Sequence, residues 1–600
     1  MNLIHSVSTI IAVLLVDTLA LGLSVAAGQP DYQVYIVNPP VNNQAIRPRR
    51  PLPSVCQPGT KLQVMACRGE YEPASFVVET QRTLREVRVE VGTLRSTSGA
   101  IPSSAVDVRV VAPCFRRITD WPGTVNWVLL HDPNLLVIRN EARPEAREEG
   151  ASAVTKAYTK TMYFTREPVD TPTLQPAHIH RRQQFWLTVH VPENASAGTY
   201  RAPVTIIPKN APPQELALEL TVPDFDLLPP KFEYSVYYPT WLEGGGLKPD
   251  NPQKYAVMSD QQYLSELRNM VAHGCTNPTI YDQPTLRDDG TLDFTLLDRV
   301  LKLREQAGMR GGSLYLPGGG GVTIAARPLT PEERAGNVRW MREIVTWARQ
   351  RGYSDVYLMG MDEATGEKMR AQRESLSSIH EGGGRVFVAN YGDFYELAGD
   401  LLDLPILLHP VHRELDKLSM MPAATFLDYP ESVQQASSPG HLLQPRYQEI
   451  IRGVHDNGFR IYTYMDLLSG YTLPEQQRRL RGIGLWKTGL DGTMTWAYTH
   501  ITQARHSEPG PLHWSSIFSF VLRGDEAPFD TLSWEAYREG YDDARYLATL
   551  QDALQQAENA GRHPDLAADT EMWLEGVTMD ADLDAWRREM ARRTEALLNP

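Results

Sequence analysis

Cysteine is scarce in this sequence, with only four among 600 residues. The spacing of Cys56, Cys67, Cys114 and Cys275 does not match a zinc site, so no structural zinc site is predicted. Cys56 and Cys67 could form a disulfide bond in an oxidising compartment, but buried free thiols are an equal alternative. No Lys-Ser or Lys-Thr follows the glycine run at residues 318–321, which excludes a phosphate-binding loop of the P-loop type.

Clusters of basic residues are also missing. The formal net charge is −14, and Arg47, Arg49 and Arg50 form one small basic group in a proline-rich segment. Nucleic-acid binding needs clustered cations to contact phosphates, so nucleic acid is not a predicted partner. No metal or cofactor is predicted either, because His409 and His412, three residues apart in a loop, have weak spacing for metal ligands.

Long apolar runs are confined to the N-terminus. Residues 10–23 are mostly apolar and residues 24–28 are small, so residues 1–27 are predicted to be a signal peptide. An uncleaved membrane anchor and a start codon placed too early are the alternatives, because Asp17 interrupts the run and no Lys or Arg precedes it. After cleavage we expect a secreted or periplasmic protein without a membrane span, and its oligomeric state is not predicted.

The first large part of the chain, residues 28–228, has the pattern of a β-sandwich domain. Short β-type runs occur between turns, and several alternate between apolar and polar residues, as half-buried strands do. No long helical period interrupts them. This pattern predicts two packed sheets. Examples are residues 75–79, 87–91, 106–111 and 186–191.

Beyond Pro229 and Pro230 the pattern changes to strands alternating with helices, as in a (β/α)8 TIM-type barrel. We assign the barrel to residues 229–564 and a C-terminal helical tail to residues 565–600. Two capping boxes predict helix starts, one at Ser259 and one at Thr330. The eight predicted strands are residues 232–238, 278–281, 313–316, 355–361, 385–390, 404–409, 459–464 and 492–498.

The fourth predicted strand ends on two adjacent acids, Asp362 and Glu363. Alternation puts Val356, Leu358, residue 360 and Asp362 on one face, and if that face lines the barrel interior, Asp362 points inward. Catalytic residues in this fold lie where strands end and loops begin, so both acids are candidate catalytic residues. A structural Asp-Glu pair held by an arginine or a helix end is the alternative.

The other predicted strand ends are rich in aromatic and polar residues. Aromatic faces suit the apolar faces of sugar rings, while polar groups bind the hydroxyls. The predicted glycan-binding residues are Tyr238, Trp241, Tyr281, Asp282, Asn390, Tyr391, His409, Tyr464, Asp466, Trp496 and Tyr498.

Neighbouring acids favour one glycosidase mechanism over another. An ordinary retaining enzyme needs its two carboxyl groups about 5 Å apart on opposite sides of the bond, which adjacent residues reach only if the loop splays them. In a substrate-assisted enzyme the 2-acetamido group of the sugar attacks the anomeric carbon. Asp362 would then orient that group, and Glu363 would act as the acid and later the base.

Three further stretches resemble glycoside hydrolase family 123 and its uncharacterised relatives. They are residues 489–498, which are similar to a late Gly-x-x-Gly-x-x-x-Trp strand, residues 532–547, which are similar to the closing helix, and residues 69–72. The resemblance implies a β-sandwich joined to a barrel and β-N-acetylgalactosaminidase activity, with the family's Asp-Glu pair at Asp362 and Glu363. Ala364 departs from the proline that relatives often have there.

The resemblance leaves two alternatives. One is a glycosidase without acetamido participation, in which Glu363 works with a distant carboxylate such as Asp282 or Asp466. The other is a glycan-binding surface protein without activity. The acidic and basic residues of the closing helix, from Arg538 to Asp543, are interpreted as fold-stabilising ion pairs.

Overall fold

The structure is a computed structural model. It describes residues 31–47, 50–115, 125–141, 159–165, 169–244, 256–408, 439–464, 473–499 and 519–599. The predicted signal peptide, His409, His412 and Asp466 lie outside the described residues.

The N-terminal part consists of short strands, as the sequence predicts. The six-stranded sheet has the order β2-β1-β4-β13-β8-β9. The larger sheet has the path β12-β5-β14-β15-β3, with β6 paired to β14 and β7 paired to β6. The strands are β1 (Tyr32–Val37), β2 (Cys56–Pro58), β3 (Lys61–Met65), β4 (Tyr71–Thr80), β5 (Leu84–Val91), β6 (Leu94–Arg95), β7 (Ala100–Ile101), β8 (Val106–Phe115), β9 (Val125–Leu130), β10 (Leu136–Glu141), β11 (Thr159–Phe164), β12 (Ala177–Ile179), β13 (Arg182–His190), β14 (Gly198–Ile207) and β15 (Gln214–Val222).

Apolar side chains from both sheets form one buried cluster. Phe76 of β4 and Phe185 of β13 stack with their ring centroids 5.0 Å apart. Val204 of β14 and Leu218 of β15 belong to the same cluster. Burial alternates along β14 and β15, because successive side chains of a strand point to opposite faces. The two sheets therefore share one hydrophobic core.

The second part of the chain is built on parallel strands. Among the described residues, seven of them form one sheet of order β16-β26-β25-β24-β23-β22-β21, with every neighbouring pair parallel. Three short two-stranded sheets, β17-β18, β19-β20 and β27-β28, accompany it. All strands of this part are β16 (Glu233–Val236), β17 (Thr240–Leu242), β18 (Ala256–Met258), β19 (Thr285–Leu286), β20 (Leu292–Asp293), β21 (Ser313–Leu316), β22 (Asp355–Met359), β23 (Arg385–Asn390), β24 (Leu404–Leu407), β25 (Tyr462–Thr463), β26 (Gly492–Thr495), β27 (Val521–Leu522) and β28 (Phe529–Asp530).

The second predicted strand, residues 278–281, is not a regular strand. The Thr279 N–H donates to the Val236 carbonyl of β16 at 3.1 Å, and the Ile280 N–H donates to the Tyr315 carbonyl of β21 at 2.9 Å. Pro278 has no N–H to donate, and the Thr279 hydroxyl takes the place of a backbone acceptor for the Tyr238 N–H. This segment still connects the two end strands of the seven-stranded sheet by hydrogen bonds.

Helices follow most of these strands, and both predicted capping boxes are present, at Ser259 with Gln262 and at Thr330 with Glu333. No described helix is both long and apolar enough for a membrane span. The helices are α1 (Asp260–Ala272), α2 (Thr295–Gln306), α3 (Pro331–Arg349), α4 (Gly366–Ala371), α5 (Arg373–Glu381), α6 (Phe394–Ala398), α7 (Pro445–Asp456), α8 (Pro474–Arg479), α9 (Leu485–Thr488), α10 (Leu532–Asn559), α11 (Pro564–Gly576) and α12 (Leu583–Leu598).

The parallel sheet has two buried faces with different neighbours. Val356 and Leu358 of β22 pack in the large cluster that contains the helices, whereas Tyr357 and Met359 pack in a separate cluster with Phe387. The face of Val356 and Leu358 therefore does not line the interior. The helices cover that face, so alternation along β22 puts the odd-numbered residues on the concave side.

A buried ion cluster joins the two ends of the chain. Arg587 of α12 contacts Glu72 of β4 at 2.7 Å, and it also contacts Glu539 and Asp543 of α10 at 2.9 and 2.7 Å. Burial raises the pKa of the nearby Glu70 to about 8. The closing-helix charges thus stabilise contacts between the N-terminal sheets and the last helices, as their spacing suggested.

Cys56 and Cys67 do not form a disulfide bond. Cys56 and Cys67 are both buried free thiols. Cys56 packs with Val55 and Val77, whereas Cys67 packs in the cluster of the C-terminal helices and donates to the Tyr546 hydroxyl oxygen at 3.4 Å. The two thiols therefore lie in different hydrophobic clusters.

Candidate active site

Asp362 and Glu363 lie in the loop that follows β22. The Gly360 N–H donates to the Phe387 carbonyl at 3.0 Å, and the Glu363 N–H donates to the Ala389 carbonyl at 3.1 Å. The Met361 N–H donates to Oε1 of Gln372 at 2.9 Å. These bonds hold the loop against β23, so both acids stay at the carboxyl end of the parallel sheet.

The backbone of Glu363 is in the left-handed region, with φ +49°. A non-glycine residue rarely adopts this conformation, and such residues are concentrated at functional sites. Glu363 is half-buried, whereas Asp362 is exposed. The Tyr391 hydroxyl donates to Oε2 of Glu363 at 3.4 Å. The loop therefore holds Glu363 in one place even though its backbone is strained.

Five aromatic residues line the same end of the sheet, and we call them the aromatic wall: Trp241, Tyr281, Trp496, Tyr237 and Tyr464. Each ring contacts the next in that order. The Trp241 and Tyr281 centroids are 5.3 Å apart, Tyr281 and Trp496 are 6.5 Å apart, and Tyr237 lies 5.4 Å from both Trp496 and Tyr464. Tyr281 and Trp496 are partly exposed and the other three rings are buried, so these two rings are the ones that can cover the apolar face of a sugar.

The two acids and the aromatic wall interact electrostatically. Burial raises the pKa of Tyr237 well above its usual value, and the negative charges of Asp362 and Glu363 raise it further. The pKa of Tyr464 is raised by burial and then by the same two carboxylates. Both carboxylates therefore act on the same two tyrosines of the wall.

The Tyr237 hydroxyl is buried and has no hydrogen-bond partner among the described residues. An unpaired buried hydroxyl costs free energy, so such a group at the end of a parallel sheet is a candidate for binding a ligand. The predicted binding residue is the next one, Tyr238, because alternation alone does not say which of two adjacent tyrosines points inward.

Tyr238 and Tyr498 are not part of the wall, contrary to the prediction. Both side chains are fully buried in the cluster between the sheet and the helices. Their rings meet edge-on at 5.7 Å, and the Tyr498 hydroxyl donates to Oδ1 of Asn269 at 3.0 Å. Alternation gives them the opposite orientation from Tyr237, so they support the site from behind.

Asp282 and Asn390 are buried, but their contacts are structural. Both carboxylate oxygens of Asp282 accept from the Leu242 N–H, at 3.2 and 3.3 Å. Burial raises the pKa of Asp282 to about 7, although that hydrogen bond opposes the shift. Asn390 is on the same face of β23 as the helix-facing Val388, and its amide donates to the Val388 carbonyl. The structure therefore places neither side chain on the aromatic wall.

One group of potential metal ligands occurs among the residues that the structure describes: His273, Asp530 and Glu535. Arg109 pairs with Asp530 at 2.8 Å, and Arg538 pairs with Glu535. Two guanidinium groups thus already compensate the two carboxylates. We interpret the group as part of an ion network rather than a metal site.

Comparisons with known proteins agree with the sequence resemblance. Residues 47–207 match the family model described as the glycoside hydrolase 123 N-terminal domain. No curated protein matches the chain. The fold is similar to a family 123 glycoside hydrolase from Clostridium perfringens, studied for glycolipid glycan hydrolysis, with a TM-score of 0.55 at 11% identity. This similarity covers 90% of this chain and 93% of that one.

Two weaker structural similarities do not bear on the fold. A GH5 xyloglucanase from Bacteroides ovatus has a TM-score of 0.32 at 11% identity, covering 80% of this chain and 98% of that one. Xylanase 10B from Thermotoga maritima has a TM-score of 0.29 at 12% identity, covering 52% of this chain and 96% of that one.

The resemblance of this chain to glycoside hydrolase family 123 is confirmed by the family model over residues 47–207 and by the fold of most of the chain.

Proposed function

We propose that this protein is a glycoside hydrolase whose active site consists of Asp362, Glu363 and the aromatic wall. The observation that carries the proposal is the position of two adjacent acids at the carboxyl end of the parallel sheet, where the Tyr391 hydroxyl donates to Oε2 of Glu363 at 3.4 Å. Burial raises the pKa of Tyr237 and Tyr464, and the charges of both acids raise it further. Acids beside an aromatic surface at the carboxyl end of parallel strands are suited to cleaving a sugar bond.

The proposed scaffold is a β-sandwich followed by a (β/α)8 barrel. Two sheets with a common core support the sandwich. The seven-stranded parallel sheet, connected at both ends by residues 279 and 280, supports the barrel. The domain boundaries given above remain predictions, as does export to the periplasm or the cell exterior.

In the proposed reaction the 2-acetamido group of the sugar is the nucleophile. Its carbonyl oxygen attacks the anomeric carbon while Glu363 donates a proton to the glycosidic oxygen, and the bond to the leaving group breaks. Water then gives a proton to the Glu363 carboxylate and attacks the anomeric carbon, which reforms the acetamide with the original anomeric configuration.

Asp362 has the orienting role in this proposal. Its carboxylate accepts a hydrogen bond from the N–H of the acetamido group and stabilises the positive charge that develops on that group. The unpaired Tyr237 hydroxyl lies within the electrostatic range of Asp362 and is a donor for the same part of the sugar. The proposed substrate is a glycan ending in a 2-acetamido sugar, with β-linked N-acetylgalactosamine favoured by the family resemblance.

Assays with aryl glycosides of N-acetylgalactosamine, N-acetylglucosamine and galactose test the proposal. We expect turnover only of 2-acetamido sugars, inhibition by a thiazoline analogue, and loss of turnover in Asp362→Asn and Glu363→Gln. Equal turnover of galactosides would contradict acetamido participation. Binding without any turnover would favour a non-catalytic glycan-binding protein.

A matched control uses Asp282, a buried carboxylate near this end of the sheet. Asp282→Asn keeps an oxygen that can accept from the Leu242 N–H, so we expect it to retain activity. A loss as large as that of Glu363→Gln would instead support the mechanism in which Asp282 is the second catalytic carboxylate.

A further inference from the structure

Tyr498 connects two members of the aromatic wall through the backbone. It lies two residues after Trp496, and its N–H donates to the Tyr237 carbonyl at 2.9 Å. The Tyr237 N–H in turn donates to the Thr495 carbonyl at 3.0 Å. The positions of Tyr237 and Trp496 therefore depend on what holds the side chain of Tyr498.

Asn269 of α1 holds that side chain. Its Oδ1 accepts from the Tyr498 hydroxyl at 3.0 Å and from the Trp534 indole at 2.8 Å. Its Nδ2 donates to Oδ1 of Asp530 at 2.7 Å. The Asp530 carboxylate can only accept, and the Tyr498 hydroxyl and the Trp534 indole are donors here. The Asn269 amide therefore has a single orientation that satisfies all three partners.

The N-terminal sheet completes this arrangement. Arg109 of β8 donates to Oδ2 of Asp530 at 2.8 Å, and its Nε donates to Asp107 at 2.7 Å. Asp530 is buried, so its charge needs this partner. Arg109, Asp530, Asn269 and Tyr498, which we call the Asn269 bridge, thus form a continuous chain of contacts from the N-terminal sheet to the aromatic wall.

We propose that the Asn269 bridge positions Tyr237 and Trp496 for sugar binding, so that Asn269 and Tyr498 are positioning residues and the N-terminal sheet is part of the active-site support. The proposal rests on the function proposed above, because it assigns the sugar to the aromatic wall. A chain of contacts alone does not establish coupling, so the test must measure the wall itself.

Three variants test the bridge. Tyr498→Phe removes one hydroxyl and keeps the ring, and Asn269→Leu removes the whole amide. Tyr234→Phe is the matched control, because Tyr234 is a fully buried tyrosine of the same cluster whose hydroxyl donates to the Arg481 carbonyl instead. We expect Tyr498→Phe, which loses one hydrogen bond, to raise KM by about two- to tenfold with kcat much less affected. Asn269→Leu, which loses three hydrogen bonds, should raise KM at least as much. Tyr234→Phe should leave KM unchanged.

A spectroscopic measurement keeps the test independent of activity. The chain has 12 tryptophans, and after labelling with 5-fluorotryptophan the Trp496 resonance is identified by its loss in Trp496→Phe. We expect the fluorine shift of Trp496 to change in Tyr498→Phe and Asn269→Leu but not in Tyr234→Phe.

The outcomes are distinct. An unchanged Trp496 resonance in both bridge variants overturns the proposal, as does a changed resonance with an unchanged KM. If the wild-type protein turns over no glycoside, the proposed function fails, while the resonance still decides whether the bridge controls the wall.

Discussion

Replacing Glu363 by Gln tests the role of this side chain in proton transfer. Gln has nearly the same shape, and the backbone N–H of residue 363 can still donate to the Ala389 carbonyl. Its amide oxygen can also accept from the Tyr391 hydroxyl, as Oε2 of Glu363 does. The substitution therefore removes an acid without removing the contacts that hold the loop.

The size of the expected loss depends on the leaving group. A positioned general acid contributes about 10²–10⁴-fold, so kcat for a glycoside with a poorly acidic leaving group should fall by about that factor. A dinitrophenyl leaving group needs little protonation, so the expected loss is about tenfold or less. Asp362→Asn should lower turnover of both substrates by a similar factor, because orienting the acetamido group is needed with any leaving group.

Steady-state kinetics with both leaving groups measure the two patterns. Glu367→Gln is the control, because Glu367 is an exposed acid of α4 that pairs with Arg370. If Glu363→Gln loses the same factor on both substrates, the assigned acid role is wrong. If only Asp362→Asn shows dependence on the leaving group, the two roles are exchanged.

Three further predictions concern stability. Glu363→Gly should be more stable than Glu363→Ala by about 1 kcal/mol in urea unfolding, because glycine adopts positive φ without strain; the opposite order would contradict the strained backbone. Tyr237→Phe should stabilise the fold by about 1 kcal/mol and lower kcat/KM, and a destabilised variant would reveal a partner for the hydroxyl. Burial alone would lower the pKa of His131, but hydrogen bonds to Asp107 and Asp170 raise it to about 9. Its stabilising effect is complete below pH 6.5 and is lost as the pH rises through 9, so over this range the free energy of unfolding should fall by about 3 kcal/mol more in wild type than in His131→Gln.

Local signals in the sequence predicted local features well. The capping boxes at Ser259 and Thr330 were correct because a cap depends on residues only three positions apart. The position of Asp362 and Glu363 just after a buried strand was also correct, since a strand ends where its apolar run ends.

Features that depend on neighbouring elements were harder to predict. Alternation defines two faces of β22 but not which face the helices cover, so the sequence alone does not say whether Val356 and Leu358 point inward. The same ambiguity led to Tyr238 in place of Tyr237. The irregular geometry of residues 278–281 depends on the Thr279 side chain and on two strands far away in the sequence.

The ion cluster around Arg587 has a consequence for how the protein is made. Burial raises the pKa of Glu72 well above its usual value, and Arg587, the cation that offsets this effect, is 515 residues later in the chain. During synthesis, the ion pair between Glu72 and Arg587 cannot form until α12 has left the ribosome. A shortened chain that ends before α12 should therefore be insoluble or rapidly degraded in cells, even though the strands of the N-terminal sheets are all present.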